Sequence, residues 1–114
     1  MYHYKCTLDR VIDGDTVDAI IDLGFNISIK KRIRLYGINA PETRTRDKEE
    51  KVKGIMSKMR LIQILEDNND VFMLRSVEAG KYGRCIGILY LDELEAKSIN
   101  TILIEEGLAD PYEK

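Results

Sequence analysis

Arg34, Arg84, Asp15 and Glu42 are the residues whose types and settings could do chemistry: two guanidiniums able to grip a phosphate and two carboxylates able to hold a cation or take a proton. They fall in three of four short segments that stand out: Ile12-Asp13-Gly14-Asp15-Thr16-Val17, Arg34 through Thr43, Lys81-Tyr82-Gly83-Arg84, and Gly107-Leu108-Ala109 followed by Tyr112. Guanidinium groups donate paired hydrogen bonds to phosphate oxygens, a geometry that lysine lacks. Asp15 opens a strand just past a tight turn, where a carboxylate can face a metal ion. Asp13, inside the turn, suits a turn cap better. Glu42 follows Pro41 in a loop, which is a rigid way to present a carboxylate. Singly, each of these is more often a solvated surface charge. Their combination in one chain is what carries weight.

Other chemistries find little material. The only histidine is His3, near the N-terminus, so a Ser-His or Cys-His nucleophile has no good base. Cys6 and Cys85 lack metal-ligand spacing, and a zinc site needs about four ligands. Two isolated cysteines in a chain without a signal sequence read as reduced thiols.

The elements that must position the candidate residues can be read from periodicity. Residues 3–12 alternate, with Tyr4, Cys6 and Leu8 on one face. Asp13-Gly14 is a strong turn signal. A second strand, about 15–22, puts Val17, Ala19 and Ile21 on one face. Leu23-Gly24-Phe25-Asn26 is a turn. A third strand, about 27–36, sets Ile27, Ile29, Ile33 and Leu35 against Lys30, Arg32 and Arg34. Residues 37–47 read as loop. From Lys48 to Leu65 the period becomes helical, with Val52, Ile55, Met56, Met59 and Ile62 or Gln63 at helical spacing and charges between them. Two more strands are expected at 71–77 and 84–91. Ser98 is expected to cap a helix over 99–106 that Gly107 ends, and the tail reads as irregular. The result is a mainly β chain with helices (α+β): a five-stranded Greek-key barrel of the OB type with two to three α-helices.

The chain has 114 residues, the size of one domain spanning 1–114. Hydrophobic residues make up 44% and charged residues 33%, the balance of a globular protein rather than a disordered one. No apolar run approaches the ~20 residues of a membrane helix. The N-terminus has no apolar signal core, so a cytoplasmic location is the expectation, with secretion the alternative if a leader has been removed. Net charge is −2, but residues 1–60 hold 13 Lys/Arg against 9 Asp/Glu and residues 61–114 hold 5 against 11. A local basic surface on a mildly acidic protein can still attract a polyanion.

In this order the four segments resemble the staphylococcal nuclease (thermonuclease) family, from about residue 7 to residue 112. Asp13-Gly14-Asp15-Thr16-Val17, Pro41-Glu42-Thr43 and Tyr82-Gly83-Arg84 together make a specific combination. The resemblance implies an OB barrel with helices, in agreement with the periodicity. It implies a calcium-dependent nuclease, an endonuclease, that hydrolyses single-stranded or frayed DNA and RNA by attack of water on phosphorus, leaving 3′-phosphate ends. A monomer is expected. By the same resemblance Asp15 is a calcium ligand, with Asn39 and the Ala40 backbone carbonyl beside it. Glu42 stands near the attacking water, and Arg34 and Arg84 clamp the phosphate. Lys81, Tyr82 and Tyr112 match substrate contacts. All these metal ligands are oxygens, which favours calcium over zinc. One departure matters: Asn39 stands where the family usually has a second metal-binding Asp. It keeps an oxygen but loses a charge, which predicts weaker calcium binding. The departure also leaves open a catalytically weak module that binds single-stranded nucleic acid or a protein partner.

Overall fold

A computed structural model describes residues 3–79, 85–92 and 97–112. The elements, in chain order, are β1 (His3–Asp13), β2 (Thr16–Gly24), β3 (Ile27–Leu35), β4 (Ile38–Asn39), α1 (Lys48–Glu66), β5 (Val71–Ala79), β6 (Cys85–Tyr90), α2 (Ile99–Glu105) and β7 (Asp110–Pro111). Five strands close into a barrel in the order β1-β2-β3-β6-β5. The expected OB-type barrel with helices is therefore present, and two helices accompany it.

Closure depends on β1, which pairs antiparallel with both β2 and β5. Register shifts between Leu8 and Arg10 and between Val11 and Asp13 bend this long strand so that it can serve both neighbours. The other closing contact is short and parallel, Ile33 to Leu35 of β3 against Cys85 to Gly87 of β6. Alternation then sends Cys6, Val17, Ala19, Ile21, Ile33, Leu35, Phe72, Leu74 and Leu89 into the barrel. Gly87 has no room for a side chain: a Cβ there would lie 2.5 Å from the Leu74 side chain and 2.7 Å from the Arg75 carbonyl oxygen.

The β2–β3 hairpin runs on past the barrel. Ile29 and Ile27 keep the facing of Ile33 and Leu35, yet they are exposed because no layer lies beneath them. Phe25 and Asn26 make the turn with φ of 54° and 60°. Both adopt the left-handed conformation, which suits Asn but is unusual for Phe.

Helix α1 starts where the Asp47 side chain accepts from the Glu49 and Glu50 amides, and those two acids complement the helix N-terminus. Its packed face corrects the periodicity. Gly54, Ser57, Leu61, Ile64 and Leu65 are buried against the barrel and α2, whereas Val52, Ile55, Met56 and Met59 face solvent. Two small residues on the packed face let α1 approach β1 and the 37–47 segment closely. The apolar stripe picked out by spacing lies on the other side. Burying Leu61 and Leu65 is worth about 2 kcal/mol each.

Helix α2 is capped as expected, with the Ser98 hydroxyl accepting from the Thr101 amide at 3.1 Å. Gly107 follows its end with φ 74°. The tail is more ordered than its composition suggests: β7 pairs with β4, Ile38 opposite Pro111 and Asn39 opposite Asp110. No described helix is long and apolar enough to cross a membrane. Among the described residues, every buried side-chain nitrogen and oxygen is hydrogen-bonded.

Candidate active site

The site is built where the turn between β1 and β2 meets the segment that follows β3. Asp15 sits in that turn, 7% exposed. A Cβ on its neighbour Gly14 would lie 2.6 Å from the Ser57 Cβ and 3.0 Å from the Ala40 Cβ, so only glycine lets the turn nest between α1 and the site segment. The Asp15 backbone carbonyl accepts from the Leu35 amide at 2.8 Å. Its carboxylate accepts from the Thr16 hydroxyl at 2.9 Å and from the Ala40 amide at 2.9 Å. Arg34 completes the set, with Nη1 3.0 Å from Asp15 Oδ2.

Arg34 lies on the outward face of β3, as the alternation requires. Its guanidinium also donates to the backbone carbonyls of Asp15 and Leu35 and, through Nη2, to Asn39 Oδ1, each at 3.4 Å. The side chain remains 22% exposed. It is held in place by partners on one side and open on the other, the arrangement a phosphate-binding arginine needs.

Glu42 is exposed and follows Ala40-Pro41 into the loop. Two contacts aim this loop. Asp13 Oδ1 accepts from the Thr43 hydroxyl at 2.7 Å and from the Thr43 amide at 3.3 Å. Gly54 of α1 lies directly behind, where a Cβ would come within 2.5 Å of the Glu42 carbonyl oxygen. The cleft beside Glu42 is lined by Asn39, Ala40, Glu49, Glu50, Lys53 and Asp110 among others. Carboxylates outnumber the cation there, which makes the field attractive to metal cations.

Further support comes from residues the motifs did not include. Asn100 of α2 is 4% exposed and bridges three backbone groups. Its Nδ2 donates to the Tyr36 and Gly87 carbonyls at 2.8 and 3.3 Å, and its Oδ1 accepts from the Leu89 amide at 3.1 Å. It thereby fixes the backbone just after Arg34. An Asn among the isoleucines and leucine of a short helix was the signal available for it. Gly37, at φ 77°, turns the chain from β3 into β4, and its carbonyl accepts from the Tyr112 amide at 2.8 Å. Tyr112 is thus tethered to the site segment by its backbone, with the residue 52% exposed.

Next to the site, Asp18 is nearly buried between Arg32 and Arg10. The Arg32 hydrogen bond, helped by Arg10, holds its carboxyl below the usual aspartate range. Lys30 pairs with Asp9 at 2.8 Å. Much of the basic run 30–34 is therefore internally neutralised, and the charge that suggested a polyanion surface is smaller than the composition implies.

The structure brings Asp15, Arg34, Asn39 and Ala40 into one hydrogen-bonded cluster, with Glu42 two residues on. Lys81, Tyr82 and Arg84 lie outside the described residues. Asp15, Asn39 and the Ala40 backbone could offer a cation oxygens alone, the kind of donor calcium takes. Only one of the three is a carboxylate. Among the described residues no three His, Cys, Asp or Glu side chains converge on one point.

A closed five-stranded barrel of the OB type, with Arg34 of β3 paired to Asp15, defines a fold class rather than an activity. The family model for staphylococcal nuclease homologues matches residues 32–114, and the chain belongs to that family. It is similar to Protein ParB of Escherichia coli, 28% identical over 109 residues. It is also similar to Endonuclease YncB of Bacillus subtilis (strain 168), 30% identical over 112 residues. These matches cover 90% of this chain but 54% and 46% of the two relatives, so the chain spans about half the length of each.

Proposed function

We propose that the chain is a nuclease that hydrolyses phosphodiester bonds of DNA and/or RNA with the help of calcium. Membership of the staphylococcal nuclease homologues supports this reading, as does the name of the Bacillus relative. The observation that carries it is the clustering of Asp15, Arg34 and Ala40 beside the Glu42 loop, held by the 3.0 Å Arg34–Asp15 pair.

In this reading Asp15, Asn39 and the Ala40 carbonyl would hold the ion, which would supply positive charge for the phosphoryl oxygens. Arg34 turns its open side to a non-bridging phosphoryl oxygen and stabilises the negative charge that grows there. Glu42 takes the proton of the attacking water as general base. Arg84 is assigned the opposite side of the phosphate, and Lys81, Tyr82 and Tyr112 the flanking nucleotide. Water attacks phosphorus, the 5′ oxygen leaves, and the product carries a 3′-phosphate. Single-stranded or frayed ends and endonucleolytic cutting suit a cleft that the described residues leave open. A single chain is taken as the catalytic unit.

The test is digestion of denatured DNA and of RNA with millimolar calcium, beside a Glu42→Ala control. Calcium-dependent cleavage that Glu42→Ala loses supports the reading. No cleavage by either protein sinks it.

Asn39 favours a second reading, a nucleic-acid-binding module with little catalysis, because it leaves a single carboxylate in the metal set. If calcium fails to bind even with a nucleotide present while single-stranded DNA does bind, that module is the better description.

A further inference from the structure

We propose that the exposed face of α1 is a self-association surface on which a second copy of this chain docks, antiparallel, about a two-fold axis near residue 57. The face is apolar without being packed: Val52, Ile55, Met56 and Met59 are 58%, 44%, 56% and 57% exposed, opposite the buried Gly54–Leu61–Leu65 side. Methionines and branched aliphatics gain from being covered, and the largest apolar patch on a monomer is often functional.

The occupant is indicated by the pattern itself. Lys48, Val52, Ile55, Met59, Ile62 and Glu66 follow one another at alternating steps of four and three, the spacing of a helix–helix seam. Set antiparallel about residue 57, this seam is its own complement. Val52 meets Ile62, which is half-buried against the core at the edge of this face, and Ile55 meets Met59, each layer twice. At both ends Lys48 of one copy meets Glu66 of the other. Both are exposed, and neither forms an ion pair that would compete. A parallel pairing in register would set lysine on lysine and glutamate on glutamate, so charge selects the antiparallel arrangement. Leu108, with Met56, Met59 and Ile62, lines a groove along the same face and widens the contact.

Size sets the strength. A 19-residue helix is about 28 Å long, and a stripe ~10 Å wide along it offers roughly 300 Å² per copy. Standard interfaces bury about 800 Å² per partner. The dimer is therefore weak and concentration-dependent. The buried side of α1 carries Gly54 and Ser57, which back onto the site, so the docking face points away from the active site and leaves it open in both copies.

Sedimentation equilibrium from roughly 10 µM to 1 mM tests this, a range suited to so small an interface. Wild type is expected to shift from monomer toward dimer. Lys48→Glu and Glu66→Lys should each weaken the dimer about tenfold, because two attractive pairs become repulsive. Neither change harms the helix, since each places the charge its own end prefers. The double variant Lys48→Glu/Glu66→Lys should restore wild-type association, and Ile55→Glu should abolish it. Circular dichroism confirms that each variant is folded. A wild-type chain that stays monomeric throughout overturns the proposal and leaves the stripe to a different partner. So does a dimer that the single reversals leave unchanged or the double reversal does not restore.

Discussion

Arg34 and Asp15 hold each other 3.0 Å apart at the mouth of the barrel, across 19 residues of chain, and the same carboxylate oxygen accepts the Ala40 amide. One carboxylate thus orients the arginine on β3 and anchors the segment that carries Glu42. The pair makes the site a preorganised unit rather than a set of mobile surface charges.

Replacing Arg34 should separate catalysis from stability. Arg34→Ala is expected to lower kcat/KM by about a hundredfold or more, the scale of losing one transition-state donor. Its stability cost should be only about 1–2 kcal/mol, because Asp15 keeps its bonds from Ala40 and Thr16. Arg34→Lys should recover little activity, since one ammonium cannot serve Asp15, Asn39 and a phosphate in the guanidinium's planar geometry. Wild-type rates in Arg34→Lys would remove Arg34 from the phosphate contact.

Asn39→Asp should tighten calcium binding. The side-chain oxygen of Asn39 already faces Arg34 Nη2 at 3.4 Å, so the added charge arrives inside the cluster. The gain expected from one more carboxylate is about tenfold in affinity. Isothermal calorimetry measures it. An unchanged affinity would place Asn39 outside the coordination shell.

Gly54→Ala should destabilise, against the ordinary rule. In an open helix this change gains about 1 kcal/mol. Here the new Cβ would sit 2.5 Å from the Glu42 carbonyl oxygen and 2.7 Å from its carbonyl carbon, both backbone atoms that cannot swing away. A loss of about 1–3 kcal/mol is expected in urea denaturation, with a fall in activity because the displaced loop carries Glu42. A rise in stability would show that α1 and the loop can separate without cost.

Cys6 should be inert and should weaken the fold in alkali. Burial in the barrel, with Cys85 nearby as the smaller cause, pushes its thiol up to about 12. An exposed thiol in the unfolded chain ionises near pH 8.5. The folded pKa is the higher one, so the stabilising contribution is complete below about pH 8.5. It is then lost as pH rises toward the folded value, at about 1.4 kcal/mol per pH unit. Cys6→Ala should flatten that slope relative to wild type while costing some core packing at neutral pH. Maleimide labelling of the native protein should modify Cys85, which is only half-buried, well before Cys6. Equal labelling of both would contradict the burial.

Much of this molecule was legible in the chain because its signals are local. Alternation marked β1, β2 and β3, Asp13-Gly14 marked the turn that carries Asp15, and Ser98 and Gly107 marked the ends of α2. The helical period over 48–65 was also correct, but its face was not. Hydrophobic spacing reports that a helix has an apolar side, not which side the barrel accepts. Close approach demanded Gly54 against Pro41 and Glu42 and the small Ser57 against Gly14, and small residues carry no hydrophobic signal. The β4–β7 ladder was hidden for a related reason: two residues are too few for a period, and their partners lie about 70 positions away.

The sequence by itself determined the barrel strands, the two helices, their order, the barrel class and the family, since each rests on neighbours along the chain or on motifs of a few residues. Only the tertiary structure decided that Arg34 and Asp15 form a pair, that Asn100 and Gly54 steady the site from two helices, and that α1 turns its richest apolar stripe to solvent. These are outcomes of long-range packing, in which contact distance and excluded volume choose among faces that local propensity leaves equivalent.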